Sequence, residues 1–206
     1  MSSALALASV TYVLKDLLNN YLIDNDVSGS IQENVNVTTL PPDRIDIIHG
    51  QTQLNLYLYR ITYNQGWRNF DLHSRYNEKE RFSNPPLSLD LHYFLTCYGI
   101  KELHTEILLG YGMQFLHETP VLDKKVIRRS LAPAADNSAD LPDLSTSELA
   151  EQIESIKITP ENLSTEEISN LWIAFGSKYR PTVSYQVSVV LIESKESAKT
   201  TLRVKE

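Results

Sequence analysis

The sequence is poor in the residues that mark covalently stapled or membrane-spanning proteins. Its 206 residues include one cysteine, Cys97, which excludes an intramolecular disulfide and favours a reducing compartment such as the cytoplasm. Seven glycines and nine prolines are too few for a collagen-like or low-complexity chain. The longest apolar runs, such as residues 187–192, are far shorter than the roughly 20 residues that cross a bilayer. No transmembrane helix is therefore expected.

Basic residues are also in the minority. The chain has 19 Lys and Arg residues against 26 Asp and Glu residues, a net charge of −7. This balance argues against a nucleic-acid binder, because phosphate contacts need a basic face. Hydrophobic residues make up 42% of the chain, which suffices for one sizeable core. We therefore expect a single acidic domain over residues 1–193.

Alternation of apolar and polar side chains predicts strands. The predicted strands are residues 34–40, 53–63, 87–98, 152–159 and 182–192. Pro41 and Pro160 are expected to end the first and the fourth of these, because proline cannot donate to a ladder. The end of the last strand is apolar on both faces and is expected to be covered on both.

Apolar side chains at three- and four-residue spacing predict helices. The first helix is expected to have about five turns and to be capped by Ser2 or Ser3. A capping box at Ser164 and Glu167 predicts the start of another. The predicted helices are residues 7–21, 101–117, 123–131 and 165–175. The order of helices and strands predicts an α+β fold, with helices packed on a mostly antiparallel sheet.

Residues 64–86 interrupt the strand pattern with a long segment that combines aromatic and basic side chains. A loop of this length inside a compact domain is usually functional. Trp, Tyr and Arg concentrate binding energy in protein interfaces, but a groove for single-stranded nucleic acid has the same composition. The net charge favours the protein interface. The residues predicted to form it are Trp67, Arg68, Asn69, Phe70, Arg75, Tyr76 and Arg81.

Two further segments are expected to lie apart from the core. Residues 132–148 are rich in Ala, Pro, Ser and acids without apolar periodicity, which predicts a mobile acidic excursion within the domain. Residues 194–206 carry four basic and two acidic residues and are predicted to form a carboxy-terminal arm. A short alternating strand within the arm needs a partner edge. That strand comprises Thr201, Leu202, Arg203, Val204 and Lys205.

Patterns that would indicate catalysis or a bound cofactor are scarce. The five histidines never have H-E-x-x-H spacing, and a single cysteine cannot form a cysteine-pair zinc site. His92 and His104 are therefore expected to be structural or surface residues. Asp43 and Asp46 lie beside prolines and other turn formers, where Asp normally caps turns. The residues predict no catalytic site, no cofactor and no metal.

Several short motifs follow one another in a distinctive order. They are Leu40-Pro41-Pro42-Asp43, Leu54-Asn55-Leu56-Tyr57-Leu58-Tyr59, Trp67-Arg68-Asn69, Ser83-Asn84-Pro85-Pro86, Ile107-Leu108-Leu109-Gly110-Tyr111, Leu171-Trp172 and Tyr179-Arg180-Pro181-Thr182. Their order, over nearly the whole chain, resembles the amino-terminal domain of cap proteins from extracellular contractile injection systems. Among these systems the resemblance is to the antifeeding-prophage and virulence-cassette type.

The resemblance implies a tail terminator, which is a ring, usually of six copies, that closes the distal end of a contractile sheath and inner tube. It implies no catalysis. The net charge and the short apolar runs predict neither a nucleic acid nor a membrane as partner. The implied partners are further copies of the chain, the sheath subunit, and the inner tube or a tube-terminating protein. Residues 64–86 would contact neighbouring copies or the tube end. Residues 201–205 would add to an exposed sheet edge of a sheath subunit; the alternatives are that they pair with an edge strand of this chain or stay disordered. Assembly would take place in the bacterial cytoplasm, before the cap becomes part of the particle.

Overall fold

A six-stranded sheet forms the centre of the protein. The structure is a computed structural model and describes residues 3–45, 52–68, 86–132, 144–152 and 154–193. The strands are β1 Val35–Thr38, β2 Thr52–Tyr63, β3 Leu87–Tyr98, β4 Val121–Leu122, β5 Ile156–Glu161 and β6 Thr182–Ile192. Their order across the sheet is β1-β2-β3-β6-β5-β4. The three longest strands had been predicted from alternation, and each lies within a residue of its predicted bounds.

The sheet is mostly antiparallel, as predicted. β1 pairs with β2 in parallel, and the other four pairings are antiparallel. Because β6 inserts between β3 and β5, it brings the last strand of the described chain into the middle of the sheet. Together with the helices, this arrangement confirms the α+β prediction.

The helices divide between the two faces of the sheet. They are α1 Ala6–Asp24, α2 Val27–Ile31, α3 Gln65–Arg68, α4 His104–Glu118, α5 Lys124–Leu131 and α6 Thr165–Ala174. Helix α4 contacts β2 and β3, and α1 contacts α4, α5 and several strands. On the other face, the ring of Phe94 lies 6.0 Å from that of Phe175, just after α6. Strand alternation explains the division, because neighbouring residues of β3 point to opposite faces.

Gly112 sets the distance between α4 and the sheet. A Cβ atom at this position would lie 3.0 Å from Cδ2 of Leu95 and 3.3 Å from Cδ1 of Leu54. The lack of a side chain at Gly112 therefore lets α4 lie close to the sheet. At Gly110, by contrast, a Cβ atom would meet nothing within 4 Å.

The start of α1 differs from the prediction. The helix begins at Ala6 with Leu5 at its N-cap, and no side chain caps it. The hydroxyl of Ser3 accepts the N–H of Leu5 at 3.2 Å instead. The Ser3 carbonyl accepts the N–H of Ala6 at 2.9 Å, but the Ser3 hydroxyl bonds no N–H group within the helix, so the predicted serine side-chain cap is wrong for Ser3. Ser2 lies outside the described residues.

Strand β5 also differs, because it runs through Pro160 rather than ending there. Pro160 pairs with Tyr185 of β6, while β4 covers only Ile156 and Lys157 on the other side. The missing N–H of the proline therefore points away from any strand of the sheet, where it breaks no ladder bond. In contrast, the capping box of α6 is formed as predicted, with Ser164 and Glu167 bonded reciprocally.

Residues 144–148 had been predicted as part of an exposed excursion, but they pack against the core. Leu144 is 2% exposed, and its carbonyl accepts the Ser9 hydroxyl at 3.4 Å. The N–H of Ser3 donates to the carbonyl of Ser147 at 2.9 Å. Irregular 3-10 turns here lack a helical or strand period, which is why the sequence pattern missed them. Residues 133–143 of the excursion lie outside the described residues.

Helix α4 carries an unusual residue at its N-cap. Leu103 has a φ of 66°, in the left-handed region, although its side chain is 61% exposed. A leucine in this conformation is strained, because Cβ crowds the following carbonyl. Within the described ranges, no helix is both long enough and apolar enough to cross a membrane.

Candidate assembly interface

Of the predicted interface residues, only Trp67 and Arg68 fall within the described ranges, and both belong to α3. Trp67 is half-buried. The other predicted residues of the loop are Asn69, Phe70, Arg75, Tyr76 and Arg81. They and the predicted arm strand Thr201, Leu202, Arg203, Val204 and Lys205 lie outside the described residues. Their roles remain predictions.

Asn64 ties together the two strands from which the 64–86 loop departs. Its backbone N–H donates to the carbonyl of Ser88 at 3.0 Å, and its side-chain amide donates to Asp90 at 2.8 Å. The side-chain oxygen of Asn64 accepts the N–H of Trp67 at 2.9 Å. One residue therefore fixes both the end of β2 and the direction in which the loop leaves the sheet.

Apolar side chains are exposed at the strand ends that flank this loop. Ile61 is 45% exposed, Tyr63 66% and Leu87 44%. Tyr63 and Leu89 are paired across β2 and β3, so the exposed group lies at one end of the sheet. Exposed apolar side chains that lie close together indicate a contact surface. The strand alternation could have revealed Ile61 and Tyr63, but their exposure depends on which parts of the sheet the helices cover, which alternation does not show.

A group of polar side chains gathers around Glu161, at the end of β5. Its carboxylate accepts Arg60 Nη2 at 2.8 Å, Tyr59 Oη at 3.0 Å and Ser184 Oγ at 3.0 Å. His92 Nδ1 lies 3.0 Å from Glu161 Oε2. These partners belong to β2, β3 and β6. Glu161 is thus the common acceptor that joins four strands on the α6 face of the sheet.

The contacts of Glu161 also change its acidity. Burial raises the pKa of this carboxyl group, but hydrogen bonds from His92 and Ser184 outweigh burial and hold the pKa below its usual value. The carboxylate form is therefore favoured in the folded protein. Since a carboxylate is an acceptor only, it suits four surrounding donors.

The contacts of His92 resemble part of a catalytic relay. His92 Nε2 lies 2.8 Å from Thr62 Oγ1, and Nδ1 faces Glu161, which gives a hydroxyl, an imidazole and a carboxylate in sequence. His92 is only 4% exposed, however. The cavity of about 170 Å³ nearby is lined by Glu161 and Ser184 rather than by Thr62 or His92. A substrate in that cavity would not meet the hydroxyl and imidazole, so His92 is a structural residue that fastens strands.

A similar cluster surrounds Glu33, in the segment before β1. The hydroxyl of Thr52 donates to its carboxylate, Lys101 Nζ lies at 3.0 Å and His104 Nδ1 at 3.2 Å. The hydrogen bonds from Thr52 and Lys101 lower the pKa of Glu33. This cluster joins the start of β2 to the start of α4. His104 is therefore structural too.

The remaining candidates for reactive chemistry lie in unsuitable places. Cys97 is fully buried, and burial raises the pKa of its thiol, which disfavours the reactive thiolate. In the described ranges, no three His, Cys, Asp or Glu side chains come together as a metal site would require. Asp43 belongs to a short 3-10 turn, whereas Asp46 lies outside the described residues.

One protein family and two solved structures are similar to this chain. The family model of the Pvc16 N-terminal domain matches residues 9–206. One similar solved structure is the PVC sheath/tube terminator of an extracellular contractile injection system in its extended state. Its TM-score is 0.56 at 13% identity, over 97% of this chain and 60% of that one. Another is the tube-terminating cap of the anti-feeding prophage, with a TM-score of 0.46 at 14% identity, over 89% of this chain and 58% of that one.

The match to the terminator covers the sheet and its helices, and at this identity it establishes a shared fold. The chain spans about three fifths of the length of these solved proteins. Among curated protein sequences, none matches this chain. The resemblance inferred from the order of motifs is confirmed by the family model, which covers nearly all of the sequence. This chain belongs to the Pvc16 N-terminal domain family.

Proposed function

We propose that this protein is a structural cap that closes the end of the tube and sheath of a contractile, phage-tail-like injection particle. The observation that carries the proposal is the family match over residues 9–206. The fold shared with a sheath/tube terminator supports it. In this role the protein stops growth by occupying the end of a polymer, which requires surfaces rather than a reaction centre.

A non-catalytic role agrees with how the chain uses its polar side chains. The two buried histidines, His92 and His104, each face a glutamate that holds strands or helices together. A nucleophile and its base must instead meet at a site that a substrate can enter. The proposed cap therefore acts through contacts with other proteins.

The proposed partners are further copies of the chain, a sheath subunit and the end of the tube. Cylindrical partners favour a closed ring with matching rotational symmetry, and we propose six copies. The 64–86 loop, with Trp67 and Arg68 at its fixed start, would contact a neighbouring copy or the tube. The exposed Ile61, Tyr63 and Leu87 at its base would extend that surface. Assembly would precede release of the particle from the bacterial cytoplasm.

The proposal is tested by removing the gene that encodes this chain from a particle-producing strain. Tube and sheath lengths are then measured by electron microscopy. We expect particles with unclosed ends and a broad length distribution, because nothing stops the addition of subunits. Re-expression of the full protein should restore closed ends. Particles of normal length with closed ends in the deletion strain would refute the capping role.

A further inference from the structure

A cavity of about 150 Å³ lies beside the carboxyl end of α6. Three separate parts of the chain form it: residues 42–45 around the 3-10 turn, the end of β3, and the segment from Trp172 in α6 to Arg180 before β6. It is separate from the Glu161 cluster and from the loop base. The side chains that define its chemistry are Asp43, Tyr98, Trp172, Lys178 and Arg180.

Arg180 is the distinctive residue of this cavity. Its Cζ atom lies 4.6 Å from the ring centroid of Tyr98, a residue that is 4% exposed. Arg180 itself is half-buried. Elsewhere Arg60, Lys101 and Arg128 each pair with a glutamate. Arg180 has no carboxylate within ion-pair distance in the part of the chain that the structure describes. Its guanidinium has exchanged part of its water for the face of the Tyr98 ring, and none of the described carboxylates neutralises its charge.

Hydrogen bonds hold this arginine and its surroundings in place. Trp172 Nε1 donates to Thr182 Oγ1 at 3.2 Å, and the Thr182 hydroxyl donates to the carbonyl of Arg180 at 2.8 Å. Trp172 is 2% exposed, so the relay is anchored in the core. The backbone of Arg180 is thereby fixed, and its side chain lies along a rigid ring. A site built in this way is ordered before any ligand arrives.

The carbonyl groups in the last turn of α6 do not need Lys178 or Arg180 as hydrogen-bond donors. Gly176, with a φ of 64°, donates its N–H to the carbonyl of Ile173 at 3.0 Å, and Ser177 donates to Trp172 at 3.3 Å. These bonds satisfy carbonyls of the last turn, as glycine commonly does at helix ends. The donors of Lys178 and Arg180 therefore remain available to a group in the cavity.

The charges of the side chains that line the cavity indicate which chemical group it can bind. Lys178 and Arg180 contribute +2 and Asp43 contributes −1, which leaves +1 around the cavity. A single negative charge balances that sum, whereas a phosphate, with about 1.5 to 2 negative charges, would exceed it and meet stronger repulsion from Asp43. Arginine presents parallel N–H donors that match the two oxygens of a carboxylate. The volume of about 150 Å³ is that of one side chain rather than of a cofactor.

We infer that this cavity is a socket for the carboxylate of an Asp or Glu side chain from a second copy of the chain. The inference deepens the proposed function and rests on it, because it names a contact within the proposed ring. The chain carries 26 acidic against 19 basic residues, so a second copy offers carboxylates in excess. In a ring, each copy presents two different surfaces to its neighbours, one that donates a group and one that accepts it.

The first test compares self-association of the full protein and of two variants by sedimentation over a range of concentrations. Arg180→Gln removes the charge and keeps a polar, though shorter, side chain, and Arg129→Gln makes the same change at an exposed position on α5. We expect the association constant to fall at least tenfold for Arg180→Gln and to stay unchanged for Arg129→Gln. Circular dichroism checks that both are folded. Equal association of Arg180→Gln and the parent protein would overturn the socket.

Sodium acetate serves as the probe for a carboxylate site. At equal ionic strength, acetate should dissociate the parent protein more than sodium chloride does, while Arg180→Gln should not distinguish the two salts. Acetate that binds near Arg180 without changing association would indicate a small-molecule site and would overturn the second copy as occupant. Asp43→Asn should strengthen association, because it removes the competing negative charge. Weaker association in Asp43→Asn would instead identify Asp43 as the counter-ion and would also overturn the inference.

Should the parent protein be monomeric in solution, capping of particles gives the readout. Loss of caps with Arg180→Gln but not with Arg129→Gln supports the socket, and full capping by Arg180→Gln overturns it. The two proposals fail in different ways. Closed ends in the gene-deletion strain refute the cap, even if association depends on Arg180. Open ends in that strain together with full capping by Arg180→Gln refute only the socket.

Discussion

Arg60 and Glu161 form an ion pair of 2.8 Å, although β2 and β5 are three positions apart in the sheet. In a flat sheet three strand spacings amount to about 14 Å, so the two side chains must extend across β3 and β6, and the twist of the sheet toward its α6 face brings them closer. His92 and Ser184 fill the space between them and bond to the same carboxylate. The twist of the sheet and the Glu161 cluster are therefore aspects of one arrangement.

Replacement of Glu161 should loosen this arrangement. Glu161→Gln substitutes an N–H₂ group for an acceptor oxygen among four donors, and we expect a loss of about 2–3 kcal/mol in the free energy of unfolding. The measurement is urea unfolding followed by circular dichroism. The matched control is Glu166→Gln on the exposed side of α6, which should change stability by less than about 0.5 kcal/mol. Equal urea midpoints for the two variants would show that the Glu161 cluster stabilises the fold no more than an exposed glutamate does.

Stability should depend on pH through the same residue. The pKa of Glu161 is lowered in the folded protein, so the unfolded state binds the proton more readily. The stabilisation is present above the usual pKa of 4.5 and is lost as the pH falls through the lower, folded value. Urea midpoints measured between pH 7 and pH 3 should fall less steeply for Glu161→Gln than for the parent protein. If the urea midpoints of the two proteins fell equally with pH, a group other than Glu161 would cause the loss of stability at low pH.

The start of the 64–86 loop is expected to matter for assembly rather than for folding. Simultaneous Trp67→Ala and Arg68→Ala should weaken ring formation and capping, because such side chains supply much of the binding energy of interfaces. Native mass and the fraction of capped particles are the measurements. Met113→Ala with Arg129→Ala, on α4 and α5, is the control pair. An unchanged ring mass and normal capping would remove the loop from the interface.

Residues 194–206 are expected to act on the sheath. Deletion of this segment should leave the melting temperature nearly unchanged and remove association with the sheath, because backbone bonds of an added strand give affinity and Leu202 and Val204 would fill pockets. Co-purification with sheathed particles measures the effect. A truncated protein that still caps sheathed particles at full occupancy would contradict this role.

Replacement of Leu103, the strained N-cap residue of α4, by glycine should stabilise the protein. Leu103→Gly removes the steric cost of a positive φ, about 1–2 kcal/mol, and loses part of that gain to the entropy of the unfolded chain. We expect a net increase of about 0.5–1 kcal/mol in thermal unfolding experiments. Leu103→Ala removes the side chain but keeps the strain, and it should give no gain. A lower stability for Leu103→Gly but not for Leu103→Ala would contradict this prediction and would mean that the flexibility of glycine destabilises the first turn of α4.

The sequence predicted those elements whose signals are local. Alternation identified β2, β3 and β6, and the Ser164 capping box located the start of α6, because each depends on residues a few positions apart. It missed the burial of Leu144, whose 3-10 turn has no repeating pattern. It also placed the end of β5 at Pro160, because the sequence does not reveal which side of a strand lacks a neighbour.

The candidate site was predicted less well, for a physical reason. Trp67 and Arg68 could be selected from composition, since interfaces favour these residue types. The Glu161 cluster joins residues up to 125 positions apart, as with Tyr59 and Ser184, and depends on the order and twist of the strands. Arg180 lies in the motif Tyr179-Arg180-Pro181-Thr182, but only the packing around Tyr98 reveals that it has no carboxylate partner among the described residues.

Pro160 has a further consequence at the outer side of β5. N–H groups of a strand point alternately to its two sides, and the N–H of Ile158 is already bonded to the carbonyl of Pro120 at 2.8 Å. The next outward position is Pro160, which has no N–H. An invading strand from another molecule would find no donor there, and such prolines are a known safeguard against edge-to-edge aggregation. The outer edge of β5 is therefore protected against the addition of strands from other molecules. A protein proposed to end the growth of a polymer thus avoids forming an edge-to-edge polymer of its own at this position.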